Sequence, residues 1–267
     1  MAPPDKAACC VYLKSIQGGA IRTLFEVLKE VVHDVLLKFD STGVRLLQMD
    51  STKCALVGMK LRAENFEDYK CASTTEVGVS LASMFKLLKI TGSHDTVTLY
   101  IVSGRTDELG ITIQNSEKNS KTDFRLKLLD VDNDEISIPE VQFDSVITMP
   151  SVYFHRLCRD AENIADHITI RSERGVLTLA CHGDFARQET VIGQADTGMA
   201  IACTNEDEAA VVEGRFSLKY LIRFCKASSL CNTLEMYMKQ SYPLIMRYNV
   251  AGLGELKFVL APEVDPD

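Results

Sequence analysis

The residues best placed to do chemistry in this chain are cations, and their spacing is regular. Lys219, Arg223 and Lys226 fall at i, i+4 and i+7 of the stretch 217–237, so on a helix they form one stripe. The earlier stretch 80–100 repeats this in register: Ser80 aligns with Ser217, Lys86 with Arg223, Lys89 with Lys226 and Tyr100 with Tyr237. Each stretch reads as a short helix followed by a strand, and neither helical part, 80–90 or 217–230, contains Asp or Glu. Two further helical patterns carry Arg22 with Lys29 (20–32) and Arg156 with Arg159 (154–165), alongside Glu26, Glu30, Asp160 and Glu162. In a chain of net charge −8 this segregation implies that the basic helices face a polyanion. Cations without interleaved aromatics suit phosphate contact, which is salt-sensitive and independent of base sequence. The chain has no Trp and no aromatic stripe on which single-stranded bases could stack. Duplex DNA held by its backbone is therefore the expected ligand.

Chemistry of other kinds lacks residues. There is no phosphate-cradling glycine loop and no nucleophile elbow. His33, His94, His155, His167 and His182 are scattered and supply no metal-ligand set, even with Cys158 three residues after His155. The alternation Asp130, Asp132, Asp134 resembles a calcium loop, but Glu135 stands where the turn glycine is needed and Val141 where the closing Glu is needed. No catalytic residue, metal or cofactor is expected. Nine cysteines without a Cys-x-x-Cys pair, and a start without a secretory pattern, point to a reducing compartment. No apolar run approaches ~18 residues, so no membrane partner is expected.

The elements that must position the cations read as a duplicated α+β plan. The first half gives a strand at 12–15, a helix at 20–32, strands at 35–39, 44–49 and 53–61, the helix and strand of 80–100, and strands at 109–113 and 124–128 parted by a polar loop, 115–121. An acidic crossover, 129–143, follows with one proline. The second half repeats the grammar: a strand at 145–149, a helix at 154–165, strands at 167–171 and 176–181, an acidic loop at 206–213, the stretch 217–237, and strands at 244–249 and 256–260. The expected organisation is a disordered lead (1–10), one domain (11–128), a connecting linker (129–143), a second domain (144–262) and an acidic tail (263–267). Each domain places two helices on one face of antiparallel sheets.

Several runs resemble the eukaryotic DNA sliding clamp family, proliferating cell nuclear antigen. They are Asp-Ser-Thr-Gly-Val-Arg-Leu-Leu-Gln-Met-Asp-Ser at 40–51, the run from Phe124 that ends Ile-Ser-Ile-Pro-Glu, Met-Pro-Ser-Val-Tyr-Phe-His-Arg-Leu-Cys-Arg-Asp at 149–160, and Leu-Lys-Phe-Val-Leu-Ala-Pro at 256–262. They span nearly the whole chain. The resemblance implies a nuclear homotrimer, a ring of six similar domains that encircles duplex DNA. Such a ring is a processivity factor for replicative DNA polymerase, a docking platform for replication and repair proteins, and the cargo of a clamp loader. Arg22, Lys29, Lys86, Lys89, Arg156, Arg159, Lys219, Arg223 and Lys226 would line the channel. Three chains would supply about 12 helices, which at roughly 8–10 Å spacing surround a wide hole.

The resemblance also implies that edge strands pair between subunits, through Phe124, Leu126 and Leu128 on one side and Val176, Thr178 and Ala180 on the other. It implies a groove for a partner peptide with aliphatic and aromatic anchors, matched by Met49, Lys53, Leu56, Ile136, Ile138, Pro139, Phe143, Pro243, Val259, Ala261 and Pro262. Lys53 stands where a His is usual, Phe143 where a Tyr is usual and Val259 where an aromatic is usual, which reshapes the groove. Loop 172–175 lacks the modifiable lysine of relatives, and Thr23 replaces a channel lysine. The rival expectations are a subunit of a hetero-trimeric checkpoint-type clamp, a protein-only interaction module, and an enzyme with an unrecognised site.

Overall fold

The computed structural model describes residues 5–131, 136, 141–194, 198–203 and 211–263. They fall into two compact units, one formed by Met1–Gln48, Val57–Ile136 and Asn249–Leu256, the other by Met49–Leu56, Ser137–Tyr248 and Lys257–Asp267. The first half of the chain runs β1 (Cys9–Ser15), α1 (Gly18–Leu28), β2 (Asp34–Asp40), β3 (Gly43–Met49), β4 (Ala55–Arg62), β5 (Asp68–Cys71), β6 (Thr75–Ser80), α2 (Leu81–Leu88), β7 (Thr96–Val102), β8 (Arg105–Asn115) and β9 (Ser120–Lys127). The second runs β10 (Ser145–Pro150), α3 (Ser151–Glu162), β11 (His167–Glu173), β12 (Val176–His182), β13 (Arg187–Ile192), β14 (Ala200–Cys203), β15 (Val212–Ser217), α4 (Leu218–Cys225), β16 (Thr233–Met238), β17 (Leu244–Val250) and β18 (Gly254–Leu260). The order of strands and helices is the same in both halves, and the sheets are antiparallel: this is a duplicated α+β fold.

Alternating burial makes the strands. In β1 the side chains of Cys9, Val11, Leu13 and Ser15 face inward, and in β17 those of Leu244, Met246, Tyr248 and Val250 do. The helices bury one stripe each, for example Leu218, Leu221, Phe224 and Cys225 of α4. In the first unit α1 packs on α2, and strands run in the order β5-β1-β7-β8-β9. In the second, α3 packs on α4 and the order β13-β12-β11-β15 forms a separate sheet. The core of this unit includes Phe224 stacked on Phe258 at 4.5 Å, with Tyr248 edge-on to Phe258.

Several expectations need correction. Val176, Thr178 and Ala180 lie on β12, which is hydrogen-bonded to β11 on one side and β13 on the other. A strand paired on both sides has no edge to offer another subunit; the open strand of that sheet is β13. β13 escaped notice because its burial alternates only between exposed and half-buried, so it lacks the apolar rhythm of a core strand. On the other side Phe124 and Leu126 do lie on an edge strand, β9, while Leu128 sits just past its end with its N–H donated to the carbonyl of Asp107. The polar loop 115–121 shrinks, because the β8–β9 ladder continues to the pair Asn115 and Ser120 and Asn119 takes a positive φ in the turn.

The expected lead is structured from residue 5. Asp5 caps a short 3-10 turn at Lys6–Ala8, and Cys9 opens β1. Helix 20–32 starts two residues early and ends at Leu28, and helix 154–165 shifts toward its N-terminus, starting right after Pro150. Part of the expected acidic loop is strand β15, with 204–210 outside the described residues. Most of the acidic crossover also lies outside them; its first residue, Leu129, bridges to Gly78 of β6.

Gly43 shows how tightly one turn is built. Its φ is 137°, and a β-carbon there would lie 1.9 Å from the carbonyl oxygen of Leu61. Gly43→Ala is expected to lower stability by about 2–4 kcal/mol through backbone strain and overpacking. Urea unfolding checks this; an unchanged midpoint would contradict the geometry.

Candidate functional site

The four helices present their cations opposite the buried stripe. In the first unit, Lys86 in the last turn of α2 and Lys89 at its C-cap are exposed. A cation at a helix C-terminus also meets the negative end of the helix dipole. Arg22 and Lys29 are half-buried and held in place. The Arg22 Nη1 donates to the carbonyl of Thr91 at 2.9 Å, just beyond α2. Lys29 pairs with Glu30, and its Nζ lies 4.9 Å above the Phe85 ring of α2. The packing of α1 on α2 thus gathers Arg22, Lys29 and Lys86 around one helix pair, but leaves α2 as the more freely charged surface.

The second unit repeats the arrangement. Arg156 and Arg159 of α3 are exposed, the Arg156 guanidinium lying 5.1 Å over the Tyr153 ring. On α4, Lys219 is exposed and Arg223 lies 5.8 Å over Tyr220. Lys226 is exposed at the C-cap, the position that Lys89 holds on α2. The matched register of the two basic stretches therefore matches in three dimensions as well: each cation of the pair sits at the same point of its helix. His155 of α3 feels a cation from each helix, Arg159 of α3 and Lys226 beside α4. Burial, and then Arg159 and Lys226, push its pKa below the ordinary imidazole value, so it is neutral at neutral pH. Its sequence signal was its position four residues before Arg159, on the same helix face. No group of metal ligands occurs among the described residues.

Most residues of the expected groove lie in the second unit. Met49, Phe143, Pro243, Val259 and Pro262 are half-buried, Ala261 is exposed and Leu56 is buried. Phe143 packs against Tyr237 and Tyr242, with ring centroids 5.4 and 6.1 Å away. Ile136 is assigned to the first unit, and Ile138 and Pro139 lie outside the described residues. Lys53 is the exposed tip of loop 50–54 and adopts φ 59°, a left-handed conformation that a lysine rarely takes.

That loop is organised by a residue the spacing arguments missed. Asp50 is only 7% exposed, yet its carboxylate accepts from the N–H groups of Thr52, Cys54 and Ala55 and from the hydroxyls of Thr52 and Tyr220. Burial opposes its charge, but the donors of Thr52, Tyr220 and Ala55 outweigh burial and hold the carboxyl below its usual range. The alternation Asp50-x-Thr52 is the turn signal that could have revealed it. The same loop holds the C-terminal side of the groove, since Ala261 N–H donates to the carbonyl of Cys54 at 3.0 Å.

Comparison with known proteins bears on these surfaces. The family model described as proliferating cell nuclear antigen, N-terminal domain, matches residues 12–136, and the C-terminal domain model matches residues 137–263. A protein of Paramecium bursaria Chlorella virus 1, named probable DNA polymerase sliding clamp 1, is 44% identical over 255 residues, covering 94% of this chain and 96% of that protein.

The depressed Asp50 carboxyl sets a pH dependence. Its folded pKa lies below its unfolded value, so the stability it contributes is present above roughly pH 4 and is lost as pH falls through the folded value. Asp50→Asn is expected to destabilise the chain at pH 7 and to flatten the acid limb of its stability curve, as measured by urea unfolding from pH 7 to 3. A variant whose acid limb parallels that of the parent would contradict this.

Proposed function

The chain belongs to the proliferating cell nuclear antigen family, and on that footing we propose that it is a homotrimeric DNA sliding clamp. In this reading it encircles duplex DNA, serves as the processivity factor of a replicative DNA polymerase, and has no catalytic activity of its own. The observation that carries the proposal is the matched pair of acid-free helices, α2 and α4. In an acidic molecule they expose Lys86, Lys89, Lys219 and Lys226 on the face turned away from the core. In this reading phosphates are met by exposed cations instead of by base-reading contacts, so the protein can slide without breaking sequence-specific bonds.

Open strand edges support ring closure. β9 and β13 each end a sheet. Next to the β13 edge, Val191 is 60% exposed and Phe185 is 78% exposed. Strands open on one edge and flanked by apolar side chains invite pairing with another chain. Two different edges on one chain make a head-to-tail contact, which forms a ring when the rotation closes. A groove around Met49, Leu56, Pro243, Ala261 and Pro262 would take peptides with aliphatic and aromatic anchors from the polymerase and from other replication or repair proteins. A clamp loader would open the ring, and the site of action would be the nucleus. The viral relative's name, which includes DNA polymerase, supports the same assignment.

The test is retention on DNA. Once loaded, the clamp is expected to stay on a nicked circular duplex and to slide off when the circle is cut. Lys86→Glu combined with Lys226→Glu is expected to weaken the salt-sensitive affinity of the unloaded protein for linear duplex by about tenfold or more, with the unfolding temperature unchanged. Equal affinity of the parent and the double variant would overturn the assignment of the helices to DNA.

A further inference from the structure

Asp50 receives five donors, and four of them come from its own loop. The fifth is different. The Tyr220 hydroxyl reaches it from α4, 170 positions away, at 2.6 Å. The same hydroxyl lies 2.7 Å from the Thr52 Oγ1, so three oxygens of two elements share one hydrogen-bonded cluster. Burial, and then the bond to Asp50, raise the Tyr220 pKa, which keeps the phenol protonated at neutral pH. Its ring is held independently, tilted against Phe224 at 6.1 Å.

The loop so held is under local strain. Lys53 is a non-glycine residue in the left-handed region, and its N–H donates to the Asp50 carbonyl at 3.0 Å. Such a conformation persists only where the surroundings over-determine it, and the Asp50 carboxylate is the centre that does so. The loop in turn fixes its neighbour, since the Cys54 carbonyl accepts from the N–H of Ala261. One hydroxyl on α4 therefore stands behind two walls of the candidate groove, the 49–56 segment and the 261–262 segment.

We propose that Tyr220 is a positioning residue for partner-peptide binding, its hydroxyl holding loop 50–54 in the shape that the groove presents to the peptide. The inference rests on the reading of that groove as the peptide site. Without the hydroxyl, Asp50 keeps its four local donors, so the chain still folds, but the loop is no longer tied to the helix. The peptide must then order the loop as it binds, and affinity falls.

Tyr220→Phe isolates the point, because the ring and its packing on Phe224 remain. Binding of a short fluorescent peptide with aliphatic and aromatic anchors is measured by anisotropy on the full-length parent, Tyr220→Phe, Thr52→Val and the double variant. Tyr220→Phe is expected to bind about tenfold more weakly, the loss typical of one hydrogen bond to a charged group. The double variant is expected to lose less than the two single losses combined, since both hydroxyls serve one carboxylate. Amide exchange at 52–55 should quicken in Tyr220→Phe, while exchange within α4 holds. Parent-like affinity in Tyr220→Phe, or strictly independent losses in the double variant, would overturn the proposal and leave the groove standing. Failure of the parent to bind any such peptide would instead overturn the groove itself, and this inference with it.

Discussion

One-sided burial of four short helices is the constraint on which the other features depend. Each helix spends its apolar stripe on the core, as Leu81, Met84 and Leu88 do in α2 and Leu218, Leu221 and Phe224 do in α4. What remains on the outer face decides what the molecule can approach. On α2 and α4 that remainder contains no carboxylate, although the chain carries a net charge of −8. The negative charge lies on strands, loops, the crossover and the other two helices, so the sign of the whole chain says little about the sign of the α2 and α4 surfaces. Because the fields of like charges add, a cationic helix pair in each unit is a stronger lure for phosphate than any one lysine.

Two further features take their meaning from that surface. β9 and β13 each end a sheet, and in the proposed ring of identical chains their edges would pair, which would also multiply the cationic helices. The Asp50 knot works on a smaller scale. A buried carboxylate with donors from two elements fixes a loop that would otherwise relax out of its left-handed tip. Tyr220, which supplies one of those donors, lies on α4 three residues before Arg223, so one helix serves both the cationic face and the loop. The division of labour on α4 is simple: Lys219 and Arg223 look outward, Phe224 and Cys225 look inward, and Tyr220 reaches sideways.

Much of this was legible in the chain itself. The repeat of 80–100 at 217–237 predicted two equivalent helix–strand units, and α2 and α4 have equivalent bounds, with Lys89 and Lys226 both at the C-cap. Apolar periodicity located α1, α2, α3 and α4, although not their ends, because terminal turns depend on capping and on the preceding proline or glycine more than on pattern. β13 was illegible for a physical reason: a strand that buries neither face has no hydrophobic alternation to read. The misplacement of an interface onto Val176, Thr178 and Ala180 followed directly from that gap. The Asp50–Tyr220 bond was beyond any local pattern, since its partners are far apart in sequence and only the fold brings α4 to that loop. Exposed cations, by contrast, announce themselves, because exposure leaves charge and spacing unmixed with packing.

The most direct test of the account is a photocrosslink from the helices to DNA. A photoreactive amino acid is placed singly at position 86, 223 or 38 of clamps retained on circular duplex, the last lying on the solvent side of β2. The account predicts DNA adducts from positions 86 and 223 and none above background from position 38. Adducts from position 38 with none from 86 or 223 would mean that the helices do not face the duplex, and the central claim would fall.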